Sequence, residues 1–180
     1  PSDMMDGRVG AIRRALDAID PVFLGSPQYP CAPLGAALGC AMTPKVETLN
    51  PVRSFKGRGT ETVLSWLADH EPGRAAVCAS AGNLGLALAH SGMRRGIPVT
   101  VIAAERANRL KLDGIRALGA TVLLTGEDIE DARAAAAELV KAGKFDTAFK
   151  DLAEFIKTSE ATKPNETKAA LATLQPTAEW

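Results

Sequence analysis

Aromatic residues make up only 4% of this 180-residue chain, so its core must rest on Ala, Val, Leu and Ile. No apolar run reaches the roughly 18 residues that a membrane-spanning helix needs. No basic stretch followed by an apolar run marks a secretory leader at the N-terminus. Charge of one sign is not in excess either, because 21 Lys and Arg oppose 21 Asp and Glu. A general nucleic-acid binder gains affinity from a basic excess that releases counterions, so that class is disfavoured. Cysteine is sparse: Cys31, Cys40 and Cys78 form an odd set without a CxxC, and the two histidines, His70 and His90, lie far from them in sequence. A disulfide framework and a zinc site are both disfavoured. The pattern fits reduced thiols in a cytoplasmic protein with no membrane or nucleic-acid partner.

What remains is enough for a packed domain. Hydrophobic residues are 46% and charged residues 23% of the chain, ordinary values for a globular fold. Apolar residues Val9, Ile12, Leu16 and Ile19 have helical spacing within 6–19, which Asp20-Pro21 ends. Residues 21–42, rich in Pro, Gly and Cys, read as loop with a short helix at 34–41. Strands are predicted at 44–49, 75–79, 98–103 and 120–125, and helices at 56–70, 83–95, 106–118 and 127–142. Strands alternating with helices imply a parallel sheet with crossover connections. The expected fold is α/β, a Rossmann-like three-layer arrangement of about four parallel strands with flanking helices, plus a helical C-terminal tail. Ligands in such sheets sit beyond the carboxyl ends of the strands.

Composition divides the chain. Before residue 141 there are twelve Arg and three Lys; from Lys141 onward there are six Lys and no Arg. The last glycine is Gly143. An amphipathic helix is predicted at 145–157, carrying Phe145, Phe149, Leu152, Phe155 and Ile156. The expected organisation is an N-terminal helix and loop over 1–42, an α/β domain over 43–142 and a helical tail over 143–180.

Two segments can carry chemistry. Asn50-Pro51-Val52-Arg53-Ser54-Phe55-Lys56-Gly57-Arg58-Gly59 follows a predicted strand and opens a helix. Ser54 can cap that helix. A cation in a first turn opposes the helix dipole, which favours the neutral amine able to condense with an aldehyde. Gly57 and Gly59 leave room for a flat ligand. The bland alternative is a surface lysine near a helix start. Ala79-Ser80-Ala81-Gly82-Asn83-Leu84-Gly85 also follows a strand and opens a helix. Its small residues leave backbone amides free for a carboxylate, and Asn83 adds a side-chain amide. The bland alternative is a tight turn packed closely on the sheet. His90 reads as a helix-surface or half-buried residue, His70 as a surface residue at a helix end. The acidic cluster Glu127, Asp128, Glu130 and Asp131 suits a helix start.

Together the two segments resemble the fold-type II pyridoxal-phosphate (PLP) enzymes, and within them the threonine and serine dehydratases. Lys45-Val46-Glu47 and Gly114–Ala120 extend the similarity, which covers about residues 20–137. The resemblance implies that Lys56 carries the cofactor and moves the substrate α-proton, with Phe55 beside the ring. It implies that Ser80, Ala81, Gly82 and Asn83 bind the substrate carboxylate, and that Asn83 also contacts the cofactor's ring oxygen. Racemising relatives place a serine where Ala81 stands, so elimination fits better than racemisation. The family's asparagine is usually followed by His; here it is Leu84. The family's glycine-rich phosphate loop has no counterpart beyond Gly143, so the chain resembles the smaller domain alone and is read as truncated. The expected activity is elimination of water from a hydroxyamino acid, with a small amino acid as substrate; the reading allows a homodimer. The rival is a non-catalytic α/β module with an incomplete PLP site. A nucleotide-binding Rossmann domain is the weaker third reading, since no GxGxxG follows the first strand.

Overall fold

The computed structural model describes Arg13, residues 15–141 and the pair Ala148–Phe149. Two compact units divide the chain, Pro1–Ala148 and Phe149–Trp180. The second lies outside the described residues except for Phe149.

In the first unit residues 15–18 are helical, within the helix predicted at 6–19, whose earlier residues other than Arg13 lie outside the described residues. Asp20 then caps a short helix, α1 (Pro21–Leu24), by accepting from the Val22 amide at 2.9 Å. Helix α2 (Ala32–Leu38) ends at Gly39, whose φ of 68° is costly for any residue with a Cβ. Regular alternation follows: α3 (Lys56–His70), β1 (Ala76–Ala79), α4 (Asn83–Arg95), β2 (Val99–Ala103), α5 (Arg109–Ala117), β3 (Thr121–Leu124) and α6 (Ile129–Lys141). α5 starts three residues later than its periodicity predicts, because Asn108 caps it and accepts from the Lys111 amide at 3.4 Å.

β1 pairs parallel with β2, Val77 opposite Thr100 and Cys78 opposite Val101, and β2 pairs parallel with β3. The register sorts the side chains into two faces. Val77 and Ile102 point to one face and pack with Ala132 and Ala136 of α6. Cys78, Val99 and Val101 point to the other. There a Cβ on Gly85 would lie 3.1 Å from Val101 and 3.2 Å from Ile115 of α5, and would run into the Ser80 carbonyl. Helices therefore cover both faces, as the alternation predicted. Burial of Cys78 pushes its thiol up to about 12, which makes it inert, while Cys31 is half-buried and Cys40 exposed.

Two expectations are corrected. The strand predicted at 44–49 is not in the sheet. Lys45 forms an isolated antiparallel bridge with Gln28, and Glu47–Leu49 is a 3-10 turn. The turn is held by the Asn50 side-chain amide, which donates to the Glu47 carboxylate at 3.1 Å across it, while Leu49 is left 72% exposed. The helix predicted at 145–157 is contradicted at Ala148–Phe149, an extended pair, β4, giving the sheet order β3-β2-β1-β4. An unpaired edge of β1 offers backbone groups that favour a strand there over a helix. The rest of the predicted tail over 143–180 lies outside the described residues. No helix among the described residues is long and apolar enough to cross a membrane.

α3 packs outside α4, joined by a buried Thr60–Ser91 hydroxyl pair at 2.9 Å. Phe23 fills the space beside them. It is fully buried with Val52 and Ala87, and its ring meets His90 edge-on at 5.5 Å. His90 is therefore a core residue, not a surface one. His70 ends α3 as expected, its ring stacked on Trp66 at 4.7 Å.

Burial holds the His90 imidazole below its ordinary 6.5; Glu61 and Asp20 pull it upward, and Arg94 pushes it further down. With the folded value depressed, the unfolded chain binds the extra proton, so stability falls as pH drops below about 6.5. Urea midpoints measured from pH 7.5 to 5 should decline in that window, and His90→Gln should flatten the decline. An equal slope in the variant would assign the effect to other groups.

Candidate active site

The lysine segment has no place in the sheet, so side chains hold it. Asn50 is buried and spans the loop. Its Oδ1 accepts from the amides of Val52 at 3.1 Å and Ser54 at 3.3 Å, while its Nδ2 donates to the Ser54 carbonyl at 2.9 Å. Glu47 pairs with Arg58 on the first turn of α3. Arg58 also donates from Nε to the Phe23 carbonyl at 2.9 Å, and Ser26 donates to Glu47 at 3.0 Å. Burial pushes the Glu47 carboxyl upward, but its bonds from Arg58 and Ser26 and the charges of Arg58 and Lys45 hold it below the ordinary 4.5. Between these anchors Arg53 takes a left-handed conformation, φ 52°.

Lys56 is thereby set as the first residue of α3, half-buried, its Nζ 5.0 Å from the centre of the Phe55 ring. Phe55 is 55% exposed and free to lie against a ligand. Ser54 is one residue short of the cap position, and its hydroxyl is 3.4 Å from the Lys56 amide. Gly57 is also corrected: the Phe23 ring occupies the space at its α-carbon, where a Cβ would overlap the ring edge. It serves close packing rather than ligand access.

The second segment lies where the parallel sheet predicts, at the carboxyl end of β1. The Ser80 amide donates to the Ile102 carbonyl at 3.0 Å, and the Gly82 amide donates to the Ser80 hydroxyl at 3.2 Å. Ala81 and Gly82 are half-buried. Asn83 opens α4, exposed, and its Oδ1 accepts from Lys111 Nζ at 2.7 Å. Gly85 bears out the packing explanation for this loop, since a side chain there would strike the Ser80 carbonyl. The two segments open neighbouring helices. Val52 of the lysine loop and Ala87 of α4 share one buried cluster with Phe23.

The primary amine and exposed aromatic ring at one helix start, and the turn of small residues with a side-chain amide at the next, are groups of the kind that suit a planar, aldehyde-bearing anion. No cluster of His, Cys, Asp or Glu suited to a metal occurs among the described residues.

The model of a family described as "pyridoxal-phosphate dependent enzyme" matches residues 19–154. The chain belongs to that family. Its members use PLP, and the donor set at Lys56 and Asn83 fits the aldehyde and ring of that cofactor. The biosynthetic L-threonine dehydratase of Salmonella typhimurium is 32% identical over 108 residues, covering 60% of this chain and 21% of that enzyme. The threonine deaminase isoform 2 of Solanum lycopersicum superposes with TM-score 0.66 at 28% identity, over 79% of this chain and 44% of that one. A PLP-dependent aspartate racemase superposes with TM-score 0.70 at 25% identity, over 80% of this chain and 46% of that one. The match spans about a fifth of the curated dehydratase and less than half of each solved structure.

Sequence reasoning placed Lys56, Phe55, Ser80, Ala81, Gly82 and Asn83 on the right elements. It missed the supporting roles of Asn50, Glu47 and Arg58, although all three stand in the quoted segments. It gave no signal for Lys111, which is 28 residues from Asn83.

Two substitutions of opposite sign test this geometry. Arg53→Gly should stabilise the fold by about 1 kcal/mol, because it removes the left-handed strain of a residue with a Cβ. Gly85→Ala should destabilise it by about 1–3 kcal/mol through overpacking against backbone that cannot give way. Paired urea titrations read both, and equal midpoints for parent and variants would contradict the backbone description.

Proposed function

We propose that the chain supplies the lysine-bearing part of a PLP-dependent lyase that eliminates water from a hydroxyamino acid, L-serine or L-threonine. The observation carrying this is the seating of Lys56 on the first turn of α3, anchored by the Asn50 and Arg58 contacts. Bound PLP supplies an electron sink for the charge left when the α-proton departs. Lys56 would hold the cofactor through its amine, and that amine, when free, would take the substrate α-proton at Nζ. In this reading the Ser80–Asn83 turn binds the substrate carboxylate, with the Ser80 amide staying on the Ile102 carbonyl and the Gly82 amide exchanging the Ser80 hydroxyl for the carboxylate, and the Asn83 NH2 donates to the ring oxygen. The proton taken up at Nζ would balance departure of the β-hydroxyl as water, and the enamine product would add water to give a 2-oxo acid and ammonia. Ala81 has no group that could deliver a proton to the opposite face, which favours elimination over racemisation.

One observation favours the rival, a non-catalytic module. No glycine occurs beyond Gly143, so the chain there holds no glycine-rich cradle for the PLP phosphate. The phosphate of PLP on this chain alone would have no such cradle, and misplacement by about an ångström can lower a rate by on the order of a hundredfold.

Borohydride reduction after incubation with PLP tests the reading. The pyridoxyl label should map to Lys56 and vanish in Lys56→Ala, while 2-oxobutanoate release from L-threonine stays near background. Label spread evenly over Lys45, Lys141 and the lysines beyond would overturn the assignment. Robust turnover would overturn the incomplete-site account.

A further inference from the structure

We propose that Lys111 is a positioning residue that fixes the orientation of the Asn83 side-chain amide. Asn83 is exposed at the first position of α4. An exposed amide can present either its carbonyl or its NH2 in a given direction, at nearly equal energy. Only one of these leaves a donor free for an acceptor on a bound ring. Lys111 breaks the symmetry chemically, because an ammonium has three donors and no acceptor. Its Nζ stands 2.7 Å from Asn83 Oδ1, so the carbonyl faces Lys111 and the NH2 is turned away.

Lys111 is itself well placed to hold this contact. It lies in the first turn of α5, and its own amide donates to the Asn108 carbonyl at 3.1 Å. Asn108 follows the carboxyl end of β2, as Asn83 follows that of β1, and the two strands are paired neighbours. The parallel register thus sets the two loops side by side. No carboxylate pairs with Lys111 Nζ among the described residues, so nothing draws it away from Asn83. This inference rests on the ring contact assigned to Asn83 above.

Two readouts test it, and they fail separately. The first is the Asn83 side-chain NH2 resonance in a nitrogen–proton correlation spectrum, assigned by its loss in Asn83→Asp. It should move toward the free-amide position in Lys111→Met and return in Lys111→Arg. An unmoved resonance in Lys111→Met overturns the contact. The second is the yield of pyridoxyl label at Lys56. Lys111→Met should lower it about two- to tenfold, the range of one net hydrogen bond. Asn83→Ala should lower it as much, and the double variant no further. Additive losses would overturn the positioning role. If the parent chain takes no label, the proposed function fails, and the resonance still decides the orientation.

Discussion

The Glu47–Arg58 ion pair, with Asn50 beside it, is the constraint on which the lysine site depends. The segment ahead of α3 has no strand to fix it, and a loop of this kind is ordered only if its backbone groups find partners. Asn50 supplies them from a single side chain, satisfying two amides and a carbonyl. Glu47 and Arg58 then tie the turn before the loop to the helix after it. Both are largely shielded, with side-chain exposures of 17% and 28%. Loss of one partner would leave a poorly solvated charge, which is why such pairs are costly to break singly. The depressed Glu47 carboxyl means that this contribution is present above its ordinary 4.5 and is lost as pH falls through the lower folded value.

A second constraint sets the asparagine loop. α4 must lie close to the sheet for its small residues to pack, and glycine allows it at two levels. Gly85 meets the Ser80 carbonyl, and Gly92 meets the Val99 side chain. Close approach carries the start of α4 to the end of β1, where the Ser80–Gly82 turn lies. The same helix buries His90 against Phe23, and Phe23 in turn covers Gly57. One aromatic residue thereby links the lysine helix, the asparagine helix and the N-terminal segment, in a chain with few aromatics to spare.

The alternation from α3 to α6 was legible because each strand is a short apolar run and two of the helices, α4 and α5, run into a glycine stop, Gly96 and Gly119, with φ of 66° and 81°. Apolar runs buried on both faces, as in β1 and β2, leave little choice of structure, whereas β3 is largely exposed. The segment 44–49 was not legible, because its fate is decided by the Glu47 and Asn50 side chains and not by hydrophobic period. Gly57 was read as room for a ligand, and only tertiary packing shows that a ring already fills that room. His90 has the same character: its depth depends on Phe23, 67 positions away, counting from 23 to 90. The two motif segments could be placed at helix starts from the sequence; the contact between distant loops, Lys111 to Asn83, could not.

The central claim is that side chains of the 47–58 segment, not the sheet, order the lysine loop. Native-state hydrogen exchange on Asn50→Ala tests it most directly. The account predicts that the amides of Val52 and Ser54, which Asn50 Oδ1 accepts in the parent, lose protection while those of β1 and β2 keep theirs. Unchanged protection at Val52 and Ser54 would contradict it, as would a loss spread evenly through the sheet.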